Sequence, residues 1–195
     1  MMKNSTNQTK LLVLSAVLTA LVIILQFTGA FIRFGPFSIS LVLVPIVIGA
    51  ATCGAGVGAW LGFVFGSVVL LSGDAAAFLT VNWWGTITTV LVKGILAGMC
   101  AGLVYRALAK INQYVGVMVA AVICPVVNTG VFLIGCLLFF MDTVAGWAQA
   151  AGLGGNVAYY MIYGLVGMNF LVELGVNLIL CPVIVRLLNI GNTDR

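Results

Sequence analysis

Histidine is absent from the sequence and charge is scarce. Of the 195 residues only 6% are charged, with eight Lys and Arg against four Asp and Glu. Without histidine, the chain cannot form a Ser-His or Cys-His nucleophile, and a zinc ion would lack its usual nitrogen ligand. The ATP-binding pattern G-x-x-x-x-G-K-[ST] is missing as well. These absences disfavour an enzyme, call for no cofactor, and leave binding or transport as the simplest function.

Cysteine and basic residues are also too dispersed to build a site. None of the five cysteines forms a CxxC pair, and all lie within or at the ends of apolar runs. We expect them to be small buried hydrophobic residues rather than disulfide partners or metal ligands. The basic residues are scattered over short turns, which disfavours nucleic-acid binding.

Long apolar runs account for nearly the whole chain. Hydrophobic residues make up 63% of it, the mean hydropathy is +1.26, and runs of about 20 apolar residues are typical of membrane spans. We predict an all-α integral membrane protein, a compact bundle of six transmembrane helices in one membrane domain over residues 1–195. The predicted spans lie near 11–30, 37–53, 55–72, 85–105, 115–140 and 157–186.

The distribution of positive charge orients this bundle in the lipid bilayer. Arg33 is the only basic residue at one end, and Lys93 lies inside a span. By the positive-inside rule both termini are cytoplasmic. The basic residues at the cytoplasmic end are Lys3, Lys10, Arg106, Lys110, Arg186 and Arg195.

Glycines recur every four residues in two of the predicted spans. They occupy one face of the third span and one face of the fourth, where they would let helix backbones approach closely in lipid. Packing inside one bundle is favoured over oligomerisation. The glycines are Gly54, Gly58, Gly62, Gly66, Gly94, Gly98 and Gly102.

A few polar residues interrupt the apolar spans. Asn169, Glu173 and Asn177 in "NFLVELGVN" advance about 40° per step and therefore share one face of the sixth span. Lys93 is the basic residue at comparable depth, and Asn128 in the fifth span lies near the same level. A charge at this depth is paired or faces a cavity. Lys93 and Glu173 are therefore either a structural ion pair or, with Asn128 and Asn169, the lining of a ligand pocket; the two alternatives are compatible.

Aromatic residues gather at the predicted outer end. Trp84 begins the fourth span in "NWWGT", Trp147 lies in the last outer loop, and Tyr163 is in the first turns of the sixth span. Such residues form an interfacial belt in many membrane proteins. The alternative is that Trp84 and Tyr163 stack over a planar or amphipathic ligand, with the glycines of "AGLGGN" giving a gate its flexibility.

With these features in place, the chain resembles a substrate-binding S component of an energy-coupling factor (ECF) transporter over nearly its whole length. The first span carries Ala16 and Ala20 one turn apart. The other matching segments are "SISLVLVPIVIGAATCGAGVGAWLGFVFG", "LVKGILAGMCAGLVYRAL" and "CPVVNTGVF". The turn "TCGAGVGA" departs from the family, since many relatives have a proline after the glycine.

The resemblance implies partners and a substrate class. It implies that Ala16 and Ala20 dock on a transmembrane T component driven by two cytoplasmic ATPases, and that a vitamin binds near the outer side of the bacterial plasma membrane. Because Lys93 suits a carboxylate, we expect pantothenate first, with niacin, riboflavin or a related small precursor behind it. The alternative function is a self-sufficient secondary transporter coupled to protons through Glu173, which the absence of an obvious inverted repeat disfavours.

Overall fold

Helices form almost the entire structure. The computed structural model describes residues 2–29, 33–34, 37–38, 41–153 and 156–193. Gly154 and Gly155 of the predicted gate, and Arg195, lie outside the described residues. In chain order the elements are α1 (Met2–Gly29), β1 (Arg33–Phe34), β2 (Phe37–Ser38), α2 (Leu43–Cys53), α3 (Ala55–Ser72), α4 (Ala76–Leu79), α5 (Trp83–Leu108), α6 (Gln113–Phe139), α7 (Met141–Ala150), α8 (Val157–Tyr159), a π-helical segment (Tyr160–Gly167) and α9 (Met168–Thr193).

Asparagine side chains begin three of these helices. The Asn82 side chain accepts a hydrogen bond from the Gly85 amide at 3.0 Å at the start of α5. Asn112 does the same for Tyr114, at 2.8 Å, at the start of α6, and Asn156 caps α8. These bonds satisfy amides that have no carbonyl partner in the first helical turn.

A single glycine separates α2 from α3. Gly54 has φ +98°, a backbone conformation that residues with a Cβ rarely adopt. The turn is therefore as tight as the uncharged, glycine-rich "TCGAG" predicts. Between α1 and α2, β1 pairs antiparallel with β2 in a two-residue ladder that brings Arg33 opposite Ser38.

The glycine faces of α3 and α5 pack directly against each other. A Cβ placed on Gly62 would overlap the backbone carbonyl of Gly94, and one on Gly58 would overlap that of Gly98. The two backbones therefore touch without a layer of side chains between them. Packing within one bundle, the favoured interpretation of the glycine pattern, is what the structure shows.

Four helices are long and apolar enough to cross a membrane: the Gln8–Gly29 part of α1, α3, α5 and α6. A fifth candidate is bent, because Val157–Gly167 and Asn169–Val183 meet at 41°. Helix α2 has 11 residues, about 16 Å of rise, which is half of a 30 Å hydrocarbon core. The described residues thus give four to five spans, and the sixth stays a prediction.

The short elements α4 and α7 lie at the end of the bundle where α1 ends and α5 begins, here called the distal end. Each follows a long helix after a brief turn, α3 for α4 and α6 for α7. Below them, Leu18 and Val22 of α1 and Leu61 of α3 belong to the main apolar core. Phe78 of α4 and Val144 of α7 belong to a second, smaller apolar cluster, and both elements border one of the cavities described next.

Candidate functional site

A cavity of about 110 Å³ opens between the helices below the distal end. It is called the inner cavity here. Its walls combine charged, amide and hydroxyl groups with phenylalanine rings. They are formed by Gln26, Phe65, Val69, Asp74, Ala75, Phe78, Val90, Lys93, Asn128, Thr129, Phe132, Leu165, Val166, Asn169, Phe170 and Glu173.

Lys93 provides the positive charge of the inner cavity. It lies ten residues after the start of α5 at Trp83, about 15 Å along the helix. Its Nζ is 5.3 Å from the centre of the Phe132 ring and 5.6 Å from that of Phe65. Both rings attract the ammonium through their negative faces. Glu173 lines the same cavity from α9.

Two of the three polar residues of "NFLVELGVN" reach the inner cavity. Asn169 and Glu173 line it, and Glu173 is only 8% exposed. Asn177 turns away from it, although it continues the same helix face. The Asn177 amide donates a hydrogen bond to the Glu173 carbonyl at 2.9 Å, and its oxygen accepts one from the Cys181 thiol at 3.5 Å. Asn177 therefore serves packing near α2, where the Cys181 sulfur lies 4.0 Å from the Val44 carbonyl.

Asn128 carries a buried oxygen atom that no described residue hydrogen-bonds. The residue lines the inner cavity from α6 and is 6% exposed. Among the described residues, no group donates a hydrogen bond to its Oδ1. Leaving such an atom unsatisfied costs about 1–3 kcal/mol. A hydrogen-bond donor on a bound molecule would remove that cost.

Asp74 and Gln26 belong to the inner cavity although no sequence pattern singles them out. Gln26 Nε2 donates a hydrogen bond to Asp74 Oδ2 at 2.5 Å, which links α1 to the turn after α3. Asp74 sits in "SGDAAAF", a stretch with the composition of an ordinary turn, and Gln26 is one amide in an apolar helix. Within the described part of the chain, no three His, Cys, Asp or Glu side chains gather as metal ligands.

Trp84 and Tyr163 do not line the inner cavity. Each is 65% exposed. Trp84 stacks on Trp83 with ring centres 4.2 Å apart, and Tyr163 stacks on Tyr159 at 4.6 Å. These two pairs lie on the surface near the distal end, in the position of an interfacial belt.

Ala16 and Ala20 are exposed on α1. Around them Val13, Val17 and Ile24 are more than half exposed. The opposite side of the helix carries the buried Leu18, Val22 and Gln26. The alanine pair thus lies on an outward apolar face, away from the inner cavity.

A second cavity of about 420 Å³ lies nearer the distal end. It is called the outer cavity here. Asp74 and Phe78 border both cavities. The other lining residues of the outer cavity are Ala77, Trp147, Ala150, Ala151 and Tyr160.

Comparison with known proteins gives one match. Residues 10–185 match the family of the ECF transporter, substrate-specific component. No curated protein and no solved structure matches the chain. The family match covers most of the sequence, and together with the apolar helices it makes this a multi-pass membrane protein with a transport role rather than an enzyme. The chain belongs to the family of substrate-specific components of ECF transporters.

Proposed function

We propose that the protein is the high-affinity substrate-binding subunit of an ATP-driven importer and that its ligand binds in the inner cavity. The ATP would be hydrolysed by two cytoplasmic ATPases, coupled through a transmembrane T component. We propose that the protein crosses a bacterial plasma membrane six times and that both of its termini lie in the cytoplasm. The face around Ala16 and Ala20 would meet the T component.

The unsatisfied Asn128 oxygen is the observation that carries this proposal. A buried acceptor at the cavity wall is costly in the empty protein and useful when a ligand donates to it. Lys93 lines the same cavity and offers the complementary group, a cation for an acceptor on the ligand. Together, Lys93 and the Asn128 oxygen favour a ligand that has both a carboxylate and a hydroxyl or amide donor.

Pantothenate has these groups and is the first candidate substrate. Niacin, which has a carboxylate on a small ring, is the compact alternative, because the inner cavity of about 110 Å³ is below the usual 300–1,000 Å³ of small-molecule sites. Riboflavin would need a much wider cavity. Mass spectrometry of small molecules that co-purify with the protein would identify the ligand directly.

Replacing Lys93 with methionine tests the binding site. The change keeps an unbranched side chain and removes the charge. If Lys93 binds a ligand carboxylate, binding should weaken by about 1.5–3 kcal/mol, the contribution of a charged hydrogen bond, or roughly 10- to 150-fold in Kd. Titration of the detergent-solubilised variant with the co-purified ligand, and with pantothenate and niacin, measures this.

Thermal stability of the same variants separates binding from packing. Glu173→Gln removes the negative charge but keeps the size and the hydrogen-bonding capacity of the side chain. It is therefore the conservative variant to measure beside Lys93→Met. If Lys93→Met binds normally and melts much lower, Lys93 and Glu173 form a structural pair, and the ligand site must be sought elsewhere.

A further inference from the structure

The cationic group and the space for a ligand lie in different cavities. The inner cavity contains Lys93 and Asn128 but has a volume of only about 110 Å³, whereas small-molecule sites usually have about 300–1,000 Å³. The outer cavity has a volume of about 420 Å³, and among the described residues of its wall Asp74 is the charged one. A vitamin-sized molecule bound to Lys93 therefore needs space beyond the inner cavity.

The outer cavity adjoins the inner one and can supply that space. Asp74 and Phe78 line both cavities, and both cavities are open to the exterior. Backbone hydrogen bonds of 3.0 Å hold the segment that carries these two residues at both of its ends, one to the Gly73 carbonyl and one from the Asn82 amide. Asp74 and Phe78 thus form a fixed common edge, across which a ligand can extend from one cavity into the other.

A row of aromatic rings connects Lys93 to the outer cavity. Lys93 Nζ is 5.3 Å from the centre of the Phe132 ring, which is 5.7 Å from that of Phe78. The Phe78 ring is in turn 5.3 Å from that of Trp147. The Lys93 ammonium and the Trp147 ring are therefore no further apart than the length of about five residues of extended chain. One elongated small molecule can contact both.

The wall of the outer cavity indicates what part of a ligand it accepts. Trp147 and Tyr160 provide aromatic rings, and the Trp147 and Phe78 rings meet edge to face at 77°. Such rings bind planar and apolar groups. The Asp74 carboxylate at the common edge can accept a hydrogen bond from a hydroxyl or an amide. The wall therefore suits an uncharged planar or apolar group with a hydrogen-bond donor beside it.

We infer that the substrate is an elongated carboxylate, with its charged end bound to Lys93 in the inner cavity and its planar or apolar body in the outer cavity. This inference rests on the proposed binding role of Lys93 and adds the substrate class. It favours pantothenate, whose carboxylate is separated from its apolar end by a chain, over niacin, whose carboxylate is attached directly to the ring.

Binding of matched carboxylates measures whether the outer cavity takes part. The full-length, ligand-free protein in lipid nanodiscs is titrated with 6-phenylhexanoate, with hexanoate, which lacks the ring, and with phenylacetate, whose ring stays beside its carboxylate. The shift in melting temperature with concentration gives each Kd. We expect 6-phenylhexanoate to bind about tenfold more tightly than hexanoate, because its ring gains the aromatic wall of the outer cavity.

Variants of the two cavities should act on different ends of the probe. Ala151→Trp starts from an exposed position in the outer wall and fills the cavity, so it should weaken 6-phenylhexanoate about tenfold. Trp147→Ala removes one ring and should weaken it roughly 2- to 13-fold. Both variants should leave phenylacetate unchanged, whereas Lys93→Met should weaken both acids by the same factor. Trp83→Ala is the matched control, since Trp83 is 54% exposed and lines neither cavity; it should change nothing.

Three results would overturn the inference. One is equal affinity of the native protein for 6-phenylhexanoate and hexanoate, which means that no site for the body exists. Another is unchanged binding of 6-phenylhexanoate in both Ala151→Trp and Trp147→Ala, which means that the body lies elsewhere. The last is equal weakening of phenylacetate and 6-phenylhexanoate in these two variants, which means that they disturb the carboxylate site itself. In each case the Lys93→Met titration judges the proposed function separately.

Discussion

Exchanging Asn128 for leucine should stabilise the protein and weaken ligand binding at the same time. The Asn128 Oδ1 atom is buried without a donor among the described residues. Its removal should recover about 1–3 kcal/mol, and in a chain of this size each kcal/mol corresponds to about 2–4 °C in melting temperature. The added bulk of leucine has room beside the inner cavity, which Asn128 lines.

The binding effect should be moderate. A neutral hydrogen bond contributes about 0.5–1.5 kcal/mol, so Kd should rise roughly 2- to 13-fold. Fluorescence-detected melting of the ligand-free protein gives the first quantity and titration with the co-purified ligand gives the second. A higher melting temperature together with a higher Kd is expected only if the amide is kept for the ligand.

Asn177→Leu provides the matched comparison. Asn177 is the same residue type and is 1% exposed, but its amide donates to the Glu173 carbonyl and accepts from Cys181. Two satisfied bonds of about 1 kcal/mol each are lost there, so this variant should melt lower than the native protein. If Asn128→Leu also melts lower, the reasoning from the unsatisfied oxygen is refuted.

Three further outcomes are expected. Replacing both Ala16 and Ala20 with tryptophan should abolish transport and leave ligand binding by the isolated subunit intact; a loss of binding as well would mean that the pair serves internal packing. Alone in liposomes the protein should bind substrate without accumulating it, whereas uphill uptake that a protonophore collapses would establish the secondary transporter. Gly62→Ala should lower the melting temperature, because its Cβ overlaps the Gly94 carbonyl and overpacking costs about 1–3 kcal/mol. The control Gly130→Ala, where a Cβ meets nothing within 4 Å, should be neutral or stabilising by up to about 1 kcal/mol.

The features that the sequence predicted best are those that cost free energy in lipid. A lysine or a glutamate in an apolar helix needs a partner or a cavity, so the sequence alone marks Lys93 and Glu173, and both line the inner cavity. The four-residue glycine repeats likewise have few uses in a membrane helix except close packing. Whether Lys93 and Glu173 bind a ligand stays a prediction.

The apolar part of the cavity wall could not be found from sequence. Phe65, Phe132 and Phe170 face the inner cavity, but a phenylalanine that faces a cavity and one that faces lipid have the same hydropathy. Asp74 was missed for the opposite reason, since an acidic residue between Gly73 and Ala75 is ordinary in an exposed turn.

The local backbone geometry could not be predicted from the sequence either. The π-helical segment Tyr160–Gly167 has the composition of an ordinary α-helix, and no residue type marks its wider turns. The second predicted span, 37–53, includes Phe37 and Ser38, which form β2, while α2 itself begins at Leu43. Apolar content alone does not distinguish a short hairpin from the first turns of a helix.

The backbone contact between α3 and α5 has a mechanical consequence for the inner cavity. Two helices that touch through Gly58, Gly62 and the facing glycines have no intervening side chains that could change rotamer, so we expect them to move together as one body. This pair of helices carries three residues that line the inner cavity, Lys93, Phe65 and Val90. Asn169 and Glu173 form the opposite wall and lie on α9. In the chain, α9 comes directly after the π-helical segment and a bend of 41°, where the chain is easier to deform. Changes in cavity volume during a transport cycle would therefore come from one wall moving against a stationary lysine.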